Sequence, residues 1–161
     1  MSEESRRQSF VRSWWPVLVW MGVIFLASTD LGSAAHTSRF LTPLLKWLRP
    51  GITREQLEFV HFLIRKAAHL TEYAILAVLS YRSLVRVFPG RAGRAPLQLL
   101  FLAAGLCACY ASLDEFHQSF VSSRGASAYD VMIDTCGALL GLGLFRGLVL
   151  LRLSLSRRQA V

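Results

Sequence analysis

The chain has 161 residues, 53% of them hydrophobic and 17% charged, and yet a formal net charge of +8. That apolar content excludes a disordered chain, the length suits one domain, and both percentages depart from soluble domains, which are roughly 45–50% apolar and about a quarter charged. A basic balance also occurs in nucleic-acid-binding proteins, so the placement of the charges decides its meaning.

The first apolar run is uncharged from Ser13 to Thr29 and opens with Trp14 and Trp15. Arg6, Arg7 and Arg12 before it and Ser33-Ala34-Ala35 after it faintly resemble a signal peptide. The paired tryptophans, with Trp20 further on, favour the interfacial anchor of a retained helix. Next come Leu41, Leu44, Leu45, Trp47 and Leu48, the turn signal Pro50-Gly51, and Thr53 followed by Gln56 in capping-box spacing. Leu57, Val60, Phe62, Leu63 and Ile64 follow. This pattern predicts two short amphipathic helices at a membrane interface, with arginine and lysine snorkelling.

A second apolar stretch, Ala67 to Val85, is interrupted by His69, Glu72 and Arg82. A third, Ala95 to Leu113, is uncharged. The fourth runs from Tyr129 to Leu151, with Asp130 and Asp134 at its start and Arg146 near its end. Such lengths match a membrane-spanning helix of roughly 17–25 residues. Backbone groups in lipid must pair within their own segment, which predicts helices, and sustained barrel-type alternation is missing. The expected fold is all-α: a single polytopic membrane domain over residues 1–161, with four transmembrane helices at about 13–29, 67–87, 95–114 and 129–151. The short interfacial helices would occupy the first outer loop.

The charges sort by segment. Residues 82–96 carry Arg82, Arg86, Arg91 and Arg94 without an acid, and residues 146–161 carry Arg146, Arg152, Arg157 and Arg158 without an acid. Residues 114–134 hold Arg124 against four acids. This alternation is a positive-inside pattern in the inner (cytoplasmic) membrane, with both termini cytoplasmic. The six bases between residues 39 and 66 run against it. The basic residues flank apolar segments, so membrane lipids are the expected partners and no nucleic-acid site is expected. Cys107, Cys109 and Cys136 form no CxxC pair and read as small packing residues.

Polar residues inside the spans are the candidate site. Lys66, His69, Glu72 and Tyr73, with Arg65, fall on an arc of ~120° on one helix. Asp114, Glu115 and Gln118 end the third span, and Arg124 is the candidate partner for one of those carboxylates. Asp130, Asp134, Gly137 and Gly141 fall in a stripe ~60° wide on the fourth helix, where the GxxxG pair permits close helix packing. Topology would place all three clusters at the outer end of the bundle. Ionisable groups inside a membrane are candidates for function, and networks that neutralise charge are the structural alternative.

Lys66-x-x-His69-x-x-Glu72-Tyr73-x-x-Leu76, Asp114-Glu115-x-x-Gln118-x-Phe120-x-x-x-Arg124 and Asp130-x-x-x-Asp134-x-x-Gly137-Ala138-x-x-Gly141 together resemble the VanZ-like family. The resemblance covers roughly residues 60–145. It departs at Asp134, where family members often carry asparagine. It implies a small bacterial integral membrane protein of a family named after a member linked to teicoplanin resistance, with no assigned biochemical activity. The motif residues carry over as Lys66, His69, Glu72, Tyr73, Asp114, Glu115, Gln118, Arg124, Asp130 and Gly137.

Three functions compete. The first is an envelope-associated factor that binds a lipid headgroup or lipid-linked envelope precursor in an outer-leaflet polar pocket, with Lys66 and Arg124 meeting an anionic group. The second is a metal-dependent intramembrane hydrolase or transferase, since His69, Glu72, Asp114, Glu115 and Asp130 include ligand types for Mg, Mn or Zn, although HExxH is missing. The third is a structural membrane subunit with an internal charge network. The sequence assigns no cofactor, oligomeric state or catalytic residue.

Overall fold

The computed structural model describes residues 3–29, 34–94, 96–121 and 125–159. Arg124 and Ser33 therefore lie outside the described residues. Within them the chain forms six α-helices and no strand: α1 (Glu3–Ser28), α2 (Ala34–Leu48), α3 (Arg54–Val87), α4 (Pro89–Arg94), α5 (Pro96–Gln118) and α6 (Ala128–Gln159).

Three segments are long and apolar enough to cross a membrane: Gln8–Ser28 in α1, Pro96–Gln118 which is α5, and Ala128–Ser156 in α6. The sequence predicts four. α3 falls outside this group because His69, Glu72 and Arg82 interrupt its apolar stretch. His69 is buried and Glu72 half-buried where α3 lies against α1, α5 and α6, its largest interface being with α6, whereas Arg82 is exposed.

The predicted pair of short outer-loop helices also differs. The first is α2. The second is continuous with α3, which runs for 34 residues, or about 51 Å. Nothing between Arg54 and Val87 stops it, since that segment contains neither glycine nor proline. Its start is fixed by a capping box: the Thr53 side chain accepts from the Gln56 N–H at 3.3 Å, and the Gln56 side chain accepts from the Thr53 N–H at 3.2 Å. Each satisfies a donor that the first helical turn leaves free. Thr42 Oγ1 on α2 lies 3.4 Å from His61 Nε2 on α3.

Contacts fix the helix directions. The Ser83 hydroxyl donates to the Ser13 carbonyl at 2.6 Å, and the Trp20 indole N–H donates to the Glu72 carbonyl at 2.9 Å, so α1 runs antiparallel to α3. The Tyr110 hydroxyl donates to the Met21 carbonyl at 2.7 Å, and Phe25 lies against His117, so α1 and α5 run parallel. Lys66, His69, Leu70 and Ala74 meet Asp130, Asp134, Gly137 and Gly141 in the same order, so α3 and α6 are parallel too.

The core is built of small steps. Leu99, Ala103, Cys107 and Ala111 recur every four residues on α5 and are fully buried, packed with Tyr73, Leu76, Ala77, Ala138 and Leu142. The same α5 face continues into Asp114, Glu115 and Gln118, also buried. Cys109 and Cys136, by contrast, are exposed on the helix surfaces. An apolar stripe turning polar at one end of the bundle is what positions the site.

Candidate functional site

The polar arc of α3 divides along its edges. At about 100° per residue, Lys66 lies toward α6, Tyr73 beside it meets Tyr110 of α5 with ring centroids 6.3 Å apart, Arg65 and Glu72 lie toward α1 and α2, and His69 lies between. The structure follows that division. Lys66 pairs with Asp130 on α6, with 19% and 11% of the two side-chain surfaces exposed. Tyr73 is fully buried. Arg65, Glu72 and His69 line a cavity.

His69 Nδ1 stands 3.2 Å from Asp134 Oδ1, a hydrogen bond when Nδ1 carries the proton. Asp134 is fully buried and His69 nearly so. One turn further along, α3 and α6 touch backbone to backbone. A Cβ on Gly141 would stand 2.6 Å from the Ala74 carbonyl oxygen, and one on Gly137 would overlap the Leu70 backbone. The two glycines thereby bring α6 close enough for Asp130 and Asp134 to reach Lys66 and His69.

α5 supplies the third wall. Gln118 Nε2 donates to Asp114 Oδ2 at 3.0 Å. The Ser127 N–H, just ahead of α6, donates to Glu115 Oε2 at 2.8 Å. This bond ties the connection between α5 and α6 to the buried end of α5. His69, Glu115 and Asp134 each offer a ligand atom, and those atoms all lie within 4.8 Å of one another. Helices α3, α5 and α6 thus meet at one place.

Several buried polar atoms have no hydrogen-bond partner among the described residues: the Tyr73 hydroxyl, Asp114 Oδ1, Glu115 Oε1 and Asp134 Oδ2. Such atoms are costly in a low-dielectric interior. All four belong to candidate site residues, while two further such atoms, Trp14 Nε1 and His117 Nδ1, lie outside that set.

The cavity has a volume of about 670 Å³ and lies among the end of α1, α2 and the first half of α3. Leu41, Leu57 and Phe62 give it apolar walls, Arg54, Arg65 and His61 give it basic and polar groups, and Glu58 and Glu72 add acids, with Arg54 paired to Glu58 at 2.9 Å. Sequence reasoning missed this cavity, because it placed the pocket among the buried ends of the spans. The available signal was the unbroken helical stretch after Thr53, which carries His61 and Arg65 on one rod with His69. Lys66, by contrast, is engaged with Asp130 and does not line the cavity.

No curated protein and no solved structure matches the chain. The VanZ/LLP1 family model matches residues 13–152. That span takes in α3, α5 and their polar ends, and all but the last turns of α6, so this membrane protein belongs to the VanZ/LLP1 family.

Proposed function

We propose that the protein is an envelope-associated factor of the cell membrane that binds a lipid headgroup or a lipid-linked envelope precursor. The cavity carries this reading. Its volume of about 670 Å³ falls within the roughly 300–1,000 Å³ of small-ligand sites. Its apolar walls suit the start of a lipid chain, and Arg65 suits a phosphate or carboxylate, Arg54 being paired with Glu58.

In this reading α3 is a fourth span from about Lys66 onward, with its polar face turned to α1, α5 and α6 instead of lipid. α2 and the first turns of α3 lie at the outer interface. Arg82, Arg86 and Arg91 then face the cytoplasm with both termini. The single domain runs through all four spans, and its polar end opens at the outer leaflet. Family membership extends the proposal to glycopeptide susceptibility, with teicoplanin the compound to test.

The test is lipid retention by the purified protein, read by native mass spectrometry. Ala68, exposed on the cavity wall, replaced by Trp fills the space without removing a charged group. Wild-type protein is expected to carry an anionic lipid that Ala68→Trp loses. Equal retention by the two proteins overturns the reading. Metal-assisted hydrolysis or transfer is the second reading, favoured by the meeting of His69, Glu115 and Asp134.

A further inference from the structure

We propose that His69, Glu115 and Asp134 form a binding site for one divalent transition-metal cation, of the Mn²⁺ or Zn²⁺ class. The three residues come from three different helices, and their ligand atoms gather within 4.8 Å of one another. Ligands about 2.1 Å from a shared ion stand ~3.4 Å apart in tetrahedral geometry. The side chains are therefore close to a coordinating arrangement.

A second observation points to a cation. Glu115 Oε1 and Asp134 Oδ2 are buried, and neither has a hydrogen-bond partner among the described residues. Glu115 is 5% exposed and Asp134 is 0% exposed. The other oxygen of Glu115 accepts from the Ser127 N–H, and Asp134 Oδ1 stands 3.2 Å from His69 Nδ1, close to the spacing of two neighbouring ligand atoms when Nδ1 carries no proton. Glu115 is thus held in place by one oxygen and offers the other. This is the arrangement that orients metal ligands in general.

Charge favours the same conclusion. Asp114, Glu115, Asp130 and Asp134 are buried together, and the described cations among them are Lys66 and, when protonated, His69. Excess negative charge in such an interior calls for protons or a cation. One imidazole and two carboxylates make a mixed nitrogen and oxygen set that suits zinc or manganese. Three protein ligands leave coordination positions open, and His69 also lines the cavity. The cation site stands whatever occupies that cavity.

The full-length protein, purified in detergent and stripped with a chelator, is titrated with Mn²⁺ alone and followed by the electron paramagnetic resonance of free Mn²⁺. Zn²⁺ is titrated in parallel and its retention measured by elemental analysis after gel filtration. One ion per chain is expected. Affinity is expected to fall by roughly tenfold or more in Asp134→Asn and in Glu115→Gln, since even outer partners of metal ligands cost 10–100-fold. Failure of folded wild-type protein to bind either ion stoichiometrically overturns the proposal. So does stoichiometric binding that both variants keep at wild-type affinity. If the variants do not fold, pulsed resonance of Mn²⁺ on the wild-type protein decides. Coupling to an imidazole nitrogen supports the site, and its absence overturns it.

Discussion

Gly141 lies directly on the backbone of Ala74, where an added Cβ would come within 2.6 Å of the carbonyl oxygen and 2.7 Å of the Cα. Both neighbours are backbone, so neither can rotate away. Gly141→Ala is expected to push α6 off α3 and lower stability by about 1–3 kcal/mol, the usual cost of overpacking. Gly143 is the control, since nothing lies within 4 Å of its Cβ position. Gly143→Ala is expected to be neutral or slightly stabilising through helix propensity. Thermal unfolding in detergent, with both variants side by side, checks the difference. Equal melting temperatures would remove close packing as the role of Gly141.

The ion pair between Lys66 and Asp130 gives a different signature. Both side chains are largely buried, with 19% and 11% of their surfaces exposed. Removing one partner leaves the other charge buried without its counter-ion, which costs up to about 3–5 kcal/mol. Lys66→Met and Asp130→Leu are each expected to lower stability, with the exposed fraction holding the loss toward the lower end. The double variant is expected to recover most of that loss, because an apolar pair of similar volume has no charge to desolvate. A double-mutant cycle on unfolding midpoints measures the coupling. Additive losses would mean that the two side chains do not depend on each other.

The parts of this arrangement legible in the sequence are those set by periodicity. The stripe of Asp130, Asp134, Gly137 and Gly141 follows from helical spacing, and so does the arc from Lys66 to Tyr73. Thr53 and Gln56 announce the start of α3 because capping is local chemistry, independent of the rest of the fold. The length of α3 is less legible, because its amphipathic and apolar stretches differ in hydropathy and so look like separate helices, although no breaker divides them. Hydropathy alone misjudges α3 for a related reason. It counts His69 as a polar group facing lipid, whereas the neighbouring helices bury it. The cavity was the least legible feature, since it depends on how α2 folds back against α3, and that is set by contacts such as Thr42 with His61 and not by spacing.

Glu115 separates a structural role from a functional one. Its Oε2 accepts from the Ser127 N–H at 2.8 Å, which tethers the segment ahead of α6. Glu115→Gln keeps an acceptor at that position, and Glu115→Ala removes it. Loss of the acceptor is expected to cost about 1–3 kcal/mol through an unpaired amide. Hydrogen exchange at residues 125–130 is expected to quicken in Glu115→Ala and to stay near wild type in Glu115→Gln. Membrane abundance and antibiotic susceptibility should be measured together in Glu115→Gln and in Arg124→Lys. Abundance that holds while the phenotype is lost marks a functional pocket. Abundance that falls with the phenotype in both marks a structural network.

Arg65 offers the most direct test of what the cavity binds. It lines the cavity and lies one residue from Lys66, which is engaged with Asp130. Changing it therefore alters the charge of the cavity wall while leaving the Lys66 pair in place. Arg65→Glu is expected to reduce retention of anionic lipid by roughly fivefold or more, on the basis that a cation near the membrane surface contributes about 1 kcal/mol toward an anionic lipid and that reversal also adds repulsion. Retention of a zwitterionic lipid should change little. Wild-type preference for anionic lipid is expected to weaken with salt, because exposed charges are screened over about 10 Å at 0.1 M. Native mass spectra of both proteins with matched anionic and zwitterionic lipids decide the matter. An unchanged ratio in Arg65→Glu would show that Arg65 does not select the headgroup.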